Sequence, residues 1–206
     1  MQKARLGFLA SHGGSNMQAI IDACKAGRLD AEPAVVISNN SDSTALDRAR
    51  REGITGYHLS SATHPDPTEL DAAITRTLEE HNVDLIVLAG YMKLLGPQTL
   101  RKYRGRILNI HPALLPKFGG KGLYGIKVHE AVLAAGDKVS GVTVHLVDEN
   151  YDRGPIVAQC KVPVLEGDTP ESLAARVLEQ EHKIYAATLQ KIVDGEIDLK
   201  ALSSSS

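Results

Sequence analysis

The chain of 206 residues contains no tryptophan, and aromatic residues make up only 4% of it. Its core must therefore be built from aliphatic side chains. Cysteine is almost missing too. Cys24 and Cys160 stand far apart, which excludes a CxxC redox pair and zinc-type spacing. Two such thiols, with no signal-peptide layout in residues 1–5, point to a reducing cytoplasm. No stretch approaches the roughly 18 consecutive apolar residues of a transmembrane helix, so none is expected. Nor is there an excess of charge: 23 Lys and Arg against 25 Asp and Glu leave a formal net charge of −2. Without a long basic run, general nucleic-acid binding is disfavoured. The remainder, 43% hydrophobic and 23% charged, has the composition of an ordinary globular chain. The length fits a single domain over residues 1–202, followed by a low-complexity serine tail, 203–206, expected to be disordered.

Short apolar runs alternate with helical periods. Residues 5–10 (RLGFLA) read as a buried strand. Met17, Ile20, Ile21 and Cys24 then recur at i, i+3, i+4 and i+7, one face of a helix. Residues 34–38 and 57–59 are further strands, with a helix over 45–52 between them. Asp66-Pro67-Thr68-Glu69 combines a cap residue, a proline at the first helical position and a Glu three residues after the cap, which predicts a helix running to His81. Residues 84–89 (DLIVLA) form the clearest buried strand. Nearly continuous apolar strands separated by helices predict a parallel sheet covered on both faces. In the second half, residues 107–110 are a strand ending at His111-Pro112, 117–127 (KFGGKGLYGIK) a glycine-rich loop, and 128–135 a short helix. Residues 141–148 and 156–164 are so close across the Arg153-Gly154-Pro155 turn that antiparallel pairing is expected. A long helix over 169–194 follows. The fold class is α/β, a doubly wound, mostly parallel sheet with an antiparallel C-terminal portion.

Three constellations are candidates for chemistry. Gly13-Gly14-Ser15-Asn16 joins the first strand to the first helix, where backbone N–H groups and the helix dipole favour a phosphate, and His12 lies in the same turn. The spacing matches neither GxGxxG nor the P-loop, and Ser15 as a simple helix cap is the alternative. Asn109 and His111 are two residues apart in a strand, so their side chains share a face at its C-terminal end, where open α/β sheets collect ligands. An amide donor beside an imidazole suits an oxygen that becomes negative during attack on an acyl carbon; a structural histidine closing the strand is the plainer alternative. Asp152, just beyond the alternating strand, is placed to raise the His111 pKa and fix its ring. Asp148, Asn150 and Asp152 faintly resemble metal ligands, but the rest of a calcium-loop pattern is missing and no metal is expected. His145 reads as a half-buried core histidine bordering the site, and His58, His64, His81 and His129 read as surface positions. Leu178, Glu181, Ile184 and Tyr185 are expected to share a helix face, where a Glu needs a reason such as a bound amine.

Taken together, these residues resemble the phosphoribosylglycinamide formyltransferase family over essentially residues 6–194. The most specific parts are Asn109-Ile110-His111-Pro112-Ala113-Leu114-Leu115-Pro116, the Asp152-Arg153-Gly154-Pro155 turn and Gly14-Ser15-Asn16. The first two are shared by folate-dependent formyltransferases at large; the Gly-Ser-Asn turn and Gln180-Glu181-His182 narrow the likeness to this member. The resemblance implies a Rossmann-like formyltransferase fold and a catalytic trio of Asn109, His111 and Asp152. It implies that Gly14, Ser15 and Asn16 bind the substrate phosphate and that Leu178, Glu179, Gln180 and Glu181 lie by the glycinamide end. Folate binding is implied for Met92, Lys93, Leu94, Leu95 and Asn109, together with Asp148, Glu149, Asn150, Tyr151 and Asp152.

The implied reaction moves a formyl group from 10-formyltetrahydrofolate to the amine of 5-phosphoribosylglycinamide, giving 5-phosphoribosyl-N-formylglycinamide and tetrahydrofolate in purine (IMP) synthesis. Small molecules are the expected partners of a cytoplasmic monomer or weak homodimer, with no metal, nucleic acid or membrane involved. Lys93 stands where family members often carry Arg, which keeps the charge but loses the planar fork. Pro67 stands where some carry an Arg, and the loop over 118–127 is longer and richer in glycine than the shorter family form, which suits a flap over the site. A nicotinamide oxidoreductase on the same architecture would want an acid at the end of strand two, where this chain has Ser38-Asn39-Asn40.

Overall fold

The structure, a computed structural model, describes residues 2–150 and 152–204. The chain forms two compact units, Met1–Leu108 and Asn109–Ser206. The division falls inside a strand, so no Pro-, Gly- or Ser-rich linker marks it in the sequence.

In the first unit, β1 (Ala4–Leu9), α1 (Ser15–Lys25), β2 (Ala31–Ser38), α2 (Thr44–Arg51), β3 (Thr55–His58), α3 (Pro67–Glu80) and β4 (Leu85–Leu88) alternate. A short helix, α4 (Pro97–Lys102), then leads into β5 (Ile107–His111), which begins in this unit and ends in the second. The strand order is β3-β2-β1-β4-β5, every neighbouring pair parallel. Leu6, Phe8 and Leu9 of the central strand are fully buried although successive side chains face opposite ways. Both faces of the sheet are covered, which is why its strands read as unbroken apolar runs. β2 starts three residues earlier than its apolar run, because Ala31 already pairs with Ala4.

The predicted start of α3 is present: the Asp66 carboxylate accepts from the N–H groups of Thr68 (2.7 Å) and Glu69 (3.3 Å), with Pro67 at the first helical position. Within α3, buried Asp71 reaches across to cap α4. It accepts from the backbone N–H of Gln98 (2.7 Å) and Thr99 (3.0 Å) and from the Thr99 hydroxyl (2.6 Å). α4 has no side-chain cap of its own, and six residues are too few to show a helical period.

The second unit holds the end of β5, then α5 (Ile126–Ala134), β6 (Val139–Leu146), β7 (Ile156–Pro163), α6 (Pro170–Val193) and α7 (Leu199–Ser204). The strand order is β5-β6-β7, and β6 and β7 pair antiparallel as their spacing predicts. Their register slips between Val144 and His145. Such an irregularity redirects the side chain beside it. α6 opens on a capping box in which Thr169 and Ser172 each accept the other's backbone N–H. Leu173, Val177, Glu181 and Tyr185 lie on its buried face, whereas Leu178, at 37% exposed, sits at the margin. The serine tail departs from expectation. Asp198 caps α7 by accepting from Lys200 and Ala201, and the hydroxyls of Ser203 and Ser204 bond back to Leu199 and Lys200, so these two serines are helical. Ser205 and Ser206 lie outside the described residues. No helix among the described residues is long and apolar enough to cross a membrane.

Candidate active site

The cluster in the second unit starts at the end of β5. Leu108 and Ile110 are buried on one side of the strand, and Asn109 and His111 alternate with them onto the other. Pro112, which has no N–H to give a ladder, ends the strand. The His111 ring is 4% exposed, and its Nε2–H donates to the Phe118 carbonyl at 2.8 Å. Its other nitrogen, Nδ1, faces Asp152 Oδ2 at 3.7 Å, within ion-pair range but longer than a hydrogen bond. The same carboxylate oxygen accepts the Gly120 N–H at 3.0 Å.

Two residues here adopt left-handed backbone that bulky L side chains seldom take: Phe118 at φ 59° and Asp152 at φ 49°. Each sits where its conformation serves the cluster, Phe118 by presenting its carbonyl to His111 and Asp152 by presenting its carboxylate. Downstream, a Cβ on Gly154 would collide with the Leu146 carbonyl, so only glycine lets this turn close against the end of β6.

His145 joins the cluster from β6. Its ring is 2% exposed; Nδ1–H donates to the Leu146 carbonyl (3.0 Å), and Nε2 accepts from the Asn109 amide (3.3 Å). Burial pushes its pKa down, against opposing contributions from the Leu146 bond and Asp152. Asp152 Oδ1 lies 3.6 Å from Nε2, a separation that would be an ion pair only with a charged ring, and burial favours the neutral one. His145 is thus a fully buried acceptor that orients Asn109, where the sequence predicted only a half-buried neighbour. His129 is a clearer correction: read as surface, it is 4% exposed on α5, because its helix turns that position inward. His58, His64 and His81 are half-buried, with the rings of His58 and His81 bonded to Ser60 and Tyr57 hydroxyls.

The model of the family described as formyl transferase matches residues 4–189. A phosphoribosylglycinamide formyltransferase of Escherichia coli (strain K12) is 39% identical over 191 residues, covering 93% of this chain and 88% of that protein. The chloroplastic phosphoribosylglycinamide formyltransferase of Vigna unguiculata is 42% identical over 96% of this chain, and the chain spans 63% of its length. The crystal structure of glycinamide ribonucleotide transformylase 1 from Symbiobacterium toebii superposes with a TM-score of 0.88 at 44% identity, covering 94% of this chain and 89% of that one. The chain belongs to the phosphoribosylglycinamide formyltransferase family.

Further candidate residues of this formyltransferase family member lie in the first unit. Gly14, at φ 70°, is the N-cap of α1 and brings no side chain of its own to cap it. Ser15 is therefore the first helical residue and not the cap. A Cβ on Gly14 would press on Ala45 at 3.0 Å, and Arg48 Nε holds the Gly13 carbonyl at 2.8 Å. Ser11 ties the neighbouring strand ends: its hydroxyl donates to Asn39 (2.6 Å) and accepts the Met92 N–H (2.7 Å). After Met92, Lys93 is exposed, Leu94 is 72% exposed and Leu95 is buried.

In the second unit, Asp148, Glu149 and Asn150 are exposed, with Asp148 accepting the Asn150 N–H at 2.6 Å; Tyr151 lies outside the described residues. Glu179 points to solvent and pairs with Lys183 (3.0 Å), Gln180 is half-buried, and Glu181 is 8% exposed. Sequence reasoning missed Phe118, whose contribution is a backbone carbonyl that no side-chain motif announces.

Proposed function

We propose that Asn109, His111 and Asp152 perform formyl transfer from 10-formyltetrahydrofolate to the amine of 5-phosphoribosylglycinamide, yielding 5-phosphoribosyl-N-formylglycinamide and tetrahydrofolate in purine synthesis. The observation that carries the reading is the meeting of the His111 ring with the Asp152 carboxylate at 3.7 Å, both side chains at most 10% exposed. The amine forms a new C–N bond to the formyl carbon, and the carbonyl oxygen becomes an oxyanion. One N–H of the Asn109 amide is directed to His145, which leaves the second for that oxygen. His111, held between the Phe118 carbonyl and the Asp152 carboxylate, is the second stabiliser. As the bond from carbon to the donor nitrogen breaks, the proton lost by the attacking amine reaches the leaving nitrogen with Asp152 assisting. No covalent enzyme intermediate is needed.

The folate donor, when bound, supplies the activated one-carbon group. Met92 (42% exposed) and Leu94 (72% exposed) flank Lys93, an apolar surface beside a cation that fits a flat heterocycle carrying carboxylates. Leu95, Asn109 and the 148–152 segment complete the proposed folate contacts. Gly14, Ser15 and Asn16 bind the substrate phosphate at the start of α1, and Leu178 to Glu181 take the glycinamide end. No metal takes part in this scheme. Two free cysteines accord with a reducing cytoplasm, where the protein acts as a monomer or weak homodimer.

The test is an absorbance assay for deformylated folate with and without the amine acceptor. Turnover only with 5-phosphoribosylglycinamide is expected. Turnover without it would assign a deformylase, and none in either case would remove the reading.

A further inference from the structure

Resting on that reading, we propose that Thr143 and Gln159 are positioning residues that hold His111 in its working orientation. They are register partners across β6 and β7. The Thr143 side chain is fully buried. Its hydroxyl donates to the Ala113 carbonyl (2.7 Å) and accepts from the Leu115 N–H (3.0 Å) and the Gln159 amide (2.9 Å). One donor and two acceptor sites are thereby filled, the full capacity of a hydroxyl. The second N–H of the Gln159 amide donates to the Leu115 carbonyl at 3.0 Å.

These bonds fall in the middle of the turn that follows His111. Beyond the clamped segment the chain folds back, so that the Phe118 carbonyl accepts the Nε2–H of His111 (2.8 Å) and the Gly120 N–H donates to Asp152 Oδ2 (3.0 Å). With Nε2 committed to a carbonyl, Nδ1 is the nitrogen left facing Asp152. Neither Thr143 nor Gln159 contacts His111 or Asp152 in this network; they act through the backbone of residues 113–115. If the clamp loosens, the Phe118 carbonyl shifts and the ring is free to rotate. A displacement of about 1 Å at a reacting group costs up to roughly a hundredfold in rate.

The experiment uses the full chain with Thr143→Val, Gln159→Leu and the conservative Thr143→Ser. Two readouts are taken: steady-state kinetics with both substrates, and the ring-nitrogen NMR signals of His111 near neutral pH. Thr143→Val and Gln159→Leu should lower kcat by about tenfold or more while KM for each substrate stays within about twofold. The His111 ring-nitrogen signals should shift and broaden as the Phe118 bond to Nε2 weakens, and Thr143→Ser should recover both readouts. Gln159 is exposed, so its variant remains informative should Thr143→Val fail to fold. An unchanged His111 ring signal in the Gln159→Leu variant overturns the proposal, whatever happens to turnover. Full activity of a His111→Ala variant would instead remove the catalytic reading, while the ring signal of the wild-type chain and its clamp variants still tests the clamp.

Discussion

Asn109 donates through its amide to Nε2 of His145 at 3.3 Å, a bond between β5 and β6 that fixes which way the amide points. An oxyanion donor gains its effect from being aimed before charge develops, and losing one typically costs about 3–4 kcal/mol of transition-state stabilisation. Asn109→Ala and His111→Ala should each reduce turnover by at least about a hundredfold. Steady-state kinetics decide it, and near-wild-type turnover in either variant removes the assigned role.

Ser15 opens α1 behind the left-handed Gly14. If that turn holds the substrate phosphate, Ser15→Ala removes ground-state binding energy that is shared with the transition state. KM for 5-phosphoribosylglycinamide should rise several-fold, with kcat and the folate KM little changed. An unchanged KM for the phosphorylated substrate would argue that the phosphate binds elsewhere.

Asp71 is 5% exposed and supplies the acceptor for two N–H groups and one hydroxyl at the start of α4. Asp71→Ala leaves those donors without the carboxylate and should cost roughly 3 kcal/mol of stability. Urea denaturation would show it as a lowered midpoint. A loss below about 0.5 kcal/mol would mean the cap is replaced by solvent.

Burial lowers the pKa of both His145 and His129, and His111 adds to the effect at each. The unfolded chain takes up protons at these rings once the pH falls below about 6.5, whereas the folded chain resists until lower pH. Between those two values the unfolded state binds more protons, so stability increases with pH. The contribution is complete above about pH 6.5 and is lost as the pH falls toward the depressed folded values. Urea midpoints should therefore drop between about pH 7.5 and 5.5, and His145→Gln should flatten the slope. An identical slope in that variant would show that His145 is not neutral in the fold.

Much of this was legible in the sequence. The unbroken apolar runs of β1 and β4 and the Asp66-Pro67-Thr68-Glu69 start of α3 each encode their structure locally. Asn109 and His111 were readable as a pair because strand alternation puts i and i+2 on one side. α4 was not, since its cap comes from Asp71 in a different helix, and no window of neighbouring residues contains that interaction. His129 was misread because a short helix of weak amphipathicity gives little indication of which side turns inward. Phe118 and Thr143 were invisible as site residues for a related reason: one contributes only a carbonyl, and the other holds the backbone of residues 113–115 together with the Gln159 amide.

Both tethers from the glycine-rich loop to the cluster, the Phe118 carbonyl and the Gly120 amide, are in place before residue 121. Everything from there to the beginning of α5 at Ile126 lies downstream of the fixed points. A residue gained or lost over 121–125 therefore leaves both tethers in step, whereas one gained or lost between His111 and Phe118 would displace the two together.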